Sequence, residues 1–364
     1  MNSIERVMAA LTFGRADFGA PDRVPVFPVP LMQGALVYNC TVAEYFGMSA
    51  ERIAEAQITI NKMFDGIPDG LAGIPNVIED VTAFGVGLEF KYPNSSPCVS
   101  RMRIRNYEEI GGLTCPSPLS SPQLHKTLEV ISTLSARMGR EKVVIGAAIA
   151  PFSLPSMLMG TSKWMRLLFT PALRDKYLRR TLDVCAEFVV DWSRQQHKAG
   201  AHVVILADGM ASSTILPRGM FEQYALPVIR DVIRRIGGPV AYEPVGRMEP
   251  FADLLADIGA LAILIGSEDD IPSCKKAVRD RVALIGNINN MKLRRWSPAR
   301  IELQARAALQ QGMSGYGFIL ANQGPEIPFD VSVEGIGALI RAVDKYGHYA
   351  PGEAGVAHAA ATAM

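Results

Sequence analysis

The sequence predicts an α/β protein built as a single (β/α)8 barrel, also called a TIM barrel. Two observations carry this prediction: eight short apolar runs recur along the 364-residue chain, and helical patterns separate most of them. Most runs are continuously apolar rather than alternating, which is typical of strands that a parallel sheet buries on both faces. Eight such strand–helix units in one chain indicate a closed barrel.

Each of the eight runs is followed by loop-forming or polar residues. In chain order they are Arg23–Val29, Asp69–Pro75, Val143–Phe152, Val203–Gly209, Pro239–Gly246, Ala260–Gly266, Val282–Asn289 and Gly315–Gly324. Between them, Arg174–Gly200 and Arg300–Gly312 have the period of amphipathic helices, and each ends at a glycine. The segment from Glu79 to Thr127 breaks the rhythm, and we expect it to be a small β-rich excursion after the second strand.

No stretch with the composition of a domain linker interrupts the chain, so we expect residues 1–350 to form one barrel domain. The small-residue end, residues 351–364, is expected to be a flexible C-terminal tail. Residues Met1–Gly14 have the pattern of an amphipathic helix rather than of a signal peptide. No apolar run approaches the roughly 18 residues that cross a membrane, so no membrane association is expected.

Charge and cysteine usage exclude several classes of partner. The 37 basic and 36 acidic residues give a net charge of +1, which predicts no nucleic-acid partner. Five scattered cysteines without a CxxC pair are typical of a reduced protein, so we expect a cytoplasmic location. The common phosphate-binding glycine loops and the GxSxG and HExxH motifs are also missing.

Barrel enzymes carry their chemistry at the carboxyl ends of the strands. Glu243 lies where the fifth run breaks into a loop, Asp208 ends the fourth run, and Gln323 ends the eighth. We expect these three side chains to open into one cavity and to act in catalysis. The candidates for substrate binding near the same strand ends are Asn76, Phe152, Met210, Tyr242, Asn287 and Asn322. Methionine-rich segments around them predict an apolar pocket for a small neutral or phenolic substrate.

Every candidate also has a structural interpretation, and the sequence leaves both open. Glu243 could pair with Arg247 at the mouth of the barrel, and Asp208 could cap a turn. The asparagine and glutamine candidates could cap helices or lie in ordinary loops.

Five stretches, spread in order over nearly the whole chain, carry a resemblance to a known family. They are ERVMAALTFGRADFGAPDRVPVFP, EDVTAFGVGLEF, VIGAAIAPFSLPSMLMG, AGAHVVILADGMAS and ALIGNIN. Together they resemble the uroporphyrinogen decarboxylase superfamily and, more closely, its corrinoid-dependent methyltransferase branch. The family fold is a (β/α)8 barrel, in agreement with the strand count. The resemblance implies transfer of a methyl group between a small methyl donor and a corrinoid.

The corrinoid is expected to belong to a partner protein, because the chain has no Asp-x-His-x-x-Gly motif of its own. A homodimer is a further possible assembly. The decarboxylases of the family hold porphyrinogen carboxylates with an Arg-Gln-Ala-Gly-Arg motif near the first strand. Residues Pro30–Asn39 contain no basic residue, and Asn76 stands where the decarboxylases carry an aspartate. We therefore expect no turnover of uroporphyrinogen.

The thiol-methylating members bind zinc through a His-x-Cys-Gly motif after the fifth strand and a cysteine after the eighth. Glu243 begins the first motif in this chain, and Gln323, Pro325 or Glu326 takes the cysteine position. The resemblance thus implies that Glu243, with Glu326, ligates zinc or another divalent metal, or that Glu243 donates a proton.

The favoured reaction is O-demethylation of a methoxylated aromatic, in which an ether oxygen rather than a thiol is activated. One alternative is a thiol-directed methyltransferase or decarboxylase-like enzyme with an altered site. Another is a barrel subunit without catalysis.

Overall fold

Eight parallel strands form one sheet, and each predicted apolar run contains one of them. This computed structural model describes residues 1–15 and 17–349, so the predicted tail lies outside the described residues. The strands in chain order are β1 Val26–Phe27, β2 Gly70–Ala72, β3 Gly87–Glu89, β4 Cys98–Arg101, β5 Val143–Ile149, β6 Val203–Ala207, β7 Val240–Glu243, β8 Ala262–Leu264, β9 Ala283–Ile288 and β10 Phe318–Asn322. The predicted barrel is confirmed.

The order of the large sheet is β1-β10-β9-β8-β7-β6-β5-β2, with every paired neighbour parallel. β1 and β2 lie at the two ends of this order. The amide N–H of Asp69, directly before β2, donates to the carbonyl oxygen of Val26 in β1 over 3.0 Å. This contact brings the two ends of the sheet together into a nearly closed barrel.

Helices surround the strands. The α-helices are α1 Ser3–Leu11, α2 Gly34–Val37, α3 Val42–Phe46, α4 Ala50–Met63, α5 Pro122–Met138, α6 Leu154–Met159, α7 Thr161–Phe169, α8 Pro171–Ala199, α9 Arg218–Met220, α10 Leu226–Ile236, α11 Ala252–Leu255, α12 Ile271–Val278, α13 Asn290–Leu293, α14 Pro298–Gly312 and α15 Val333–Tyr346. Short 3-10 helices cover Val77–Phe84, Tyr107–Gly112, Pro118–Ser120 and Glu249–Phe251, and a π-helical turn covers Phe221–Ala225.

The long helix predicted from amphipathic periodicity is α8. Its first residue is a proline, which is favourable there because the N–H that proline lacks would have no acceptor within the helix. Gly200 ends the helix with a φ of +108°, a conformation that favours glycine. No helix in the described ranges is long and apolar enough to cross a membrane.

The excursion after β2 is less regular than expected. Its only described ladder is the antiparallel hairpin of β3 and β4, and the rest is 3-10 helix and loop. The hairpin leads into a segment that contacts α6 near the mouth, where the amide of Ile104 donates to the carbonyl of Leu158 over 2.9 Å. The excursion thus forms part of the rim of the barrel.

Apolar side chains pack in two layers on either side of the strands. Alternate strand residues such as Ala241 point into the barrel, and their neighbours such as Tyr242 pack in the layer between strands and helices. At the amino ends of the strands, Val7 and Ala10 of α1 join the inner cluster. Helix α1 therefore closes the bottom of the barrel.

A buried ionic cluster holds α1 in place. The carboxylate of Asp69 accepts hydrogen bonds from Arg6 at 2.6 Å and from Arg23 at 3.0 Å, and also from the amide of Val26 at 2.9 Å. Because Asp69 directly precedes β2, this cluster ties the helix to the first two strands.

Candidate active site

Glu243 is the last residue of β7 and points into the barrel. Its side chain is buried, with 4% of the residue exposed, and its Oε1 atom has no hydrogen-bond partner. Burial raises the pKa of Glu243 to about 8, although a hydrogen bond from the backbone of Gly324 opposes the shift. The carboxyl group is therefore mainly protonated at neutral pH and able to donate a proton.

Glu243 forms part of the wall of a narrow inner cavity of about 60 Å³. Apart from Asn322 and Glu243, its lining is apolar or glycine: Phe27, Pro28, Val29, Gly70, Ala72, Ile74, Val77, Ile145, Ala147, Ile205, Ala207, Leu264, Ile285, Ala321, Gly324 and Pro325. Such surroundings cannot solvate a carboxylate, which explains the raised pKa.

A wider outer cavity of about 350 Å³ lies toward the mouth. Val77, Ala207 and Pro325 line both cavities, so the two adjoin. No lysine, arginine or histidine lines either cavity. The combined space suits a small uncharged molecule.

Three of the predicted site residues line the outer cavity. Asn76 uses its side chain to cap the following helical turn by accepting the amide of Ile78 at 2.9 Å, and Met210 contributes apolar surface. Glu326 accepts a short hydrogen bond from the hydroxyl of Ser96. Burial raises the pKa of Glu326, and the contact with Ser96 partly counteracts this.

Asp208 lies behind the wall of the outer cavity. It is fully buried and accepts hydrogen bonds from Ser153 Oγ at 2.5 Å and Tyr242 Oη at 2.9 Å. Burial raises the pKa of Asp208 to about 6 against the effect of these donors. Since Ser153 lines the outer cavity, Asp208 is one hydrogen bond away from it. The amide of Asp208 donates to the carbonyl of Glu243 at 2.7 Å, which fixes the end of β7.

The expectation that Asp208, Glu243 and Gln323 open into one cavity needs correction. Of the three residues, only Glu243 lines one of the two adjoining cavities, the inner one. Gln323 accepts the amide of Ser267 through its side-chain oxygen at 2.6 Å, so it connects two strand-end loops. The catalytic roles of Asp208 and Gln323 stay predictions, and any such role for Asp208 has to act through Ser153.

The other substrate-binding candidates are distributed around the site. Asn322 lines the inner cavity, but its side chain also accepts the amide of Val29 at 2.9 Å. Asn287 donates to backbone carbonyls of the β8 loop and lines a separate polar cavity. Tyr242 and Phe152 are fully buried outside the barrel, where Phe152 packs edge-on against Trp164. Substrate contact by these two stays a prediction.

Ser153 is the residue that the sequence interpretation missed. It follows β5, lines the outer cavity, and its hydroxyl also accepts the amide of Met210 at 2.8 Å. Its position directly after the predicted run Val143–Phe152 was the available signal, but serine in a loop before a helix ordinarily indicates a cap.

The residues present do not fit a metal site. In the described part of the chain, no three His, Cys, Asp or Glu side chains are grouped so that they could hold a metal ion. Burial favours the protonated form of both Glu243 and Glu326, whereas a ligand to a metal must be deprotonated. Zinc also prefers nitrogen and sulfur ligands to oxygen ligands alone. Glu243 and Glu326 are therefore not expected to hold zinc or another divalent metal between them.

Comparison with known proteins gives a family match. The family model described as uroporphyrinogen decarboxylase (URO-D) matches residues 4–346. Among curated proteins, the chain is 25% identical to a methylcobamide:CoM methyltransferase of Methanosarcina mazei over 64% of this chain and 70% of that protein. A similar enzyme of Methanosarcina acetivorans is 27% identical, and the alignment spans 58% of this chain and 62% of the relative.

A uroporphyrinogen decarboxylase of Bordetella petrii is 24% identical over 89% of this chain and 93% of that enzyme. Among solved structures, a methyltransferase from Methanosarcina mazei superposes with a TM-score of 0.83 at 20% identity. That superposition covers 95% of this chain and 99% of the other, and it shows a shared fold.

Proposed function

The chain belongs to the uroporphyrinogen decarboxylase (URO-D) family, and within it we propose a methyltransferase that demethylates a small O-methyl aromatic compound. The acceptor of the methyl group is a reduced corrinoid carried by a partner protein. The observation that carries the proposal is Glu243, a buried carboxyl group whose Oε1 atom has no hydrogen-bond partner, in the wall of an otherwise uncharged inner cavity.

In this proposal Glu243 acts as a general acid. When the bond between the methyl carbon and the ether oxygen breaks, its electron pair stays on the oxygen, which becomes a phenolate. Glu243 donates its proton to that oxygen, so the leaving group departs as a neutral phenol. The partner's reduced corrinoid supplies the electron pair that forms the new bond to the methyl carbon.

The outer cavity would hold the aromatic ring. The thioether of Met210 on its wall packs favourably against a ring. Ser153, fixed by Asp208, and Asn76 place polar groups on the same wall. The apolar lining excludes water from the proton donor, which keeps Glu243 protonated at neutral pH.

The lack of basic residues on the cavity walls argues against a porphyrinogen substrate. A molecule with many carboxylates needs arginine or lysine partners, since buried charges without partners are costly. The alternative of a thiol acceptor draws support from the relatives named as methylcobamide:CoM methyltransferases. A protonated carboxyl group, however, does not generate the thiolate that such a transfer requires.

One experiment distinguishes these activities. The purified protein is incubated with cob(I)alamin and either 2-methoxyphenol or methylated thiols, and methylcobalamin formation is followed by visible absorption. In parallel, methylcobalamin is offered with coenzyme M, and uroporphyrinogen decarboxylation is assayed by product analysis. We expect methyl transfer only from 2-methoxyphenol. Transfer to coenzyme M alone would select the thiol-directed alternative, and decarboxylation would select the porphyrinogen alternative. Inactivity in all of these assays would indicate a non-catalytic subunit.

A further inference from the structure

Three arginines form an exposed row on the excursion that borders the mouth. Arg101, Arg103 and Arg105 are exposed, whereas the intervening Met102 and Ile104 are partly or fully buried. The guanidinium groups therefore project from one side of a segment whose apolar side chains face the protein. We call these three residues the arginine row.

The arginine row lies at the rim of the site and is firmly held there. Ile104 is anchored to α6 by its backbone, and the hydroxyl of Tyr107 donates to the carbonyl of Lys163 in α7 at 3.0 Å. A few residues earlier, Ser96 and Pro97 line the outer cavity. Whatever binds the arginine row is therefore positioned next to the entrance.

The charges of the arginine row are not neutralised by the protein. None of the three guanidinium groups forms an ion pair or a side-chain hydrogen bond within the described residues. Elsewhere, exposed Arg218 and Arg294 pair with Asp253 and Asp330. Glu108 and Glu109 are the nearest acidic residues in sequence; Glu109 already accepts the backbone amide of Arg105, and neither forms an ion pair with the three arginines. The arginine row is thus free to meet an external anion.

An anion that meets the arginine row lies outside the two cavities. None of the three arginines lines either cavity, so they do not reach a molecule bound inside. On the same excursion, Tyr92 is 71% exposed and Phe90 is 36% exposed. Exposed aromatic residues together with arginine are the composition of protein–protein interfaces.

We propose that the arginine row docks an acidic surface of the corrinoid-carrying partner and so brings its corrinoid over the mouth. This inference rests on the proposed function, since it assigns the partner of the same site. Arginine pairs well with carboxylates in a bidentate geometry, and rim charges mainly speed and orient the encounter of two proteins. The arginine row therefore governs transfer to a protein-bound corrinoid and leaves transfer to free corrinoid unchanged.

The test compares two acceptors: free cob(I)alamin and a cob(I)alamin-loaded corrinoid-binding domain with an acidic surface. The variant R101E/R103E/R105E reverses the three charges of the arginine row. The matched control K62E/R140E/K198E reverses three exposed, unpaired cations at the opposite end of the barrel, near the starts of β2, β5 and β6.

At low ionic strength we expect the reversed variant to raise the KM for the loaded domain by about tenfold or more. The difference should shrink at high salt, where charges are screened. The KM for free cob(I)alamin and the kinetics of the control variant should not change. These results would support docking at the arginine row.

Several outcomes would overturn the docking proposal while leaving the function intact. They are equal KM values for the loaded domain in all three proteins, no transfer to the domain at all, or binding of a single-stranded RNA 20-mer through the arginine row without an effect on the domain. Absence of transfer to free cob(I)alamin by the wild-type protein would instead refute the proposed function.

Discussion

Replacement of Glu243 by glutamine should change how the stability of the protein depends on pH. Glutamine keeps the shape of the side chain but cannot titrate. In the folded protein burial raises the pKa of Glu243 to about 8, and its ordinary value is 4.5. Below pH 4.5 the carboxyl group is protonated in both the folded and the unfolded chain, so its contribution to stability is fully present.

As the pH rises above 4.5, the unfolded chain releases this proton while the folded protein retains it. The free energy of unfolding then falls by about 1.36 kcal/mol per pH unit, until the folded protein also releases the proton near pH 8. Over the interval between 4.5 and about 8, this amounts to about 5 kcal/mol. The free energy of unfolding of the glutamine variant does not decrease in this way, because glutamine does not titrate.

Urea-induced unfolding of both proteins from pH 5 to pH 9 measures the effect. The difference in the free energy of unfolding should shift by several kcal/mol in favour of the variant toward alkaline pH. Other buried carboxyl groups, such as Glu79 with a pKa of about 7, are present in both proteins and cancel in the difference. Stability curves that run parallel over this range would refute the reasoning about the buried proton.

In the methylation assay Glu243→Gln should lower the rate by about 100-fold, whereas Glu268→Gln, at an exposed glutamate after β8, should not; near-normal transfer by the first variant would remove Glu243 as the proton donor. Asp69→Asn removes the buried carboxylate that Arg6 and Arg23 share and leaves them only the more exposed Asp22 and Asp344 as partners; it should cost about 3–5 kcal/mol in urea unfolding, and a loss below about 1 kcal/mol would contradict the importance of the cluster. Tyr242→Phe removes a donor from the buried carboxylate of Asp208 and should lower stability by about 1–3 kcal/mol, and an unchanged thermal unfolding midpoint would show that another group replaces it.

The barrel was predictable because strands buried in a parallel sheet appear in the sequence as short, continuously apolar runs. The run Val143–Phe152 contains all of β5, and Gly315–Gly324 contains all of β10. Strand lengths were less predictable: β1 has only two residues, because Pro25 and Pro28 flank it and proline has no N–H for a ladder.

The site was predictable only in part. A position at the end of a strand places a residue near the mouth of the barrel, but it does not tell whether the side chain points into the barrel or outward toward the helices. Tyr242 and Glu243 are adjacent, and the alternation along β7 sends one outward and the other inward. Asp208 follows a strand and lies in a loop, where no period defines its direction. Its hydrogen bonds to Ser153 and Tyr242 depend on neighbours that are distant in sequence.

Helix α1 closes the amino end of the barrel, so the cavities that contain the proton donor open only toward the rim. Under the proposed function both reactants share that entrance. The methyl donor has to bind before the corrinoid carrier covers the opening, and the phenol leaves only after the carrier has departed. Turnover thus follows a compulsory order, in which excess carrier traps the empty enzyme and slows the reaction.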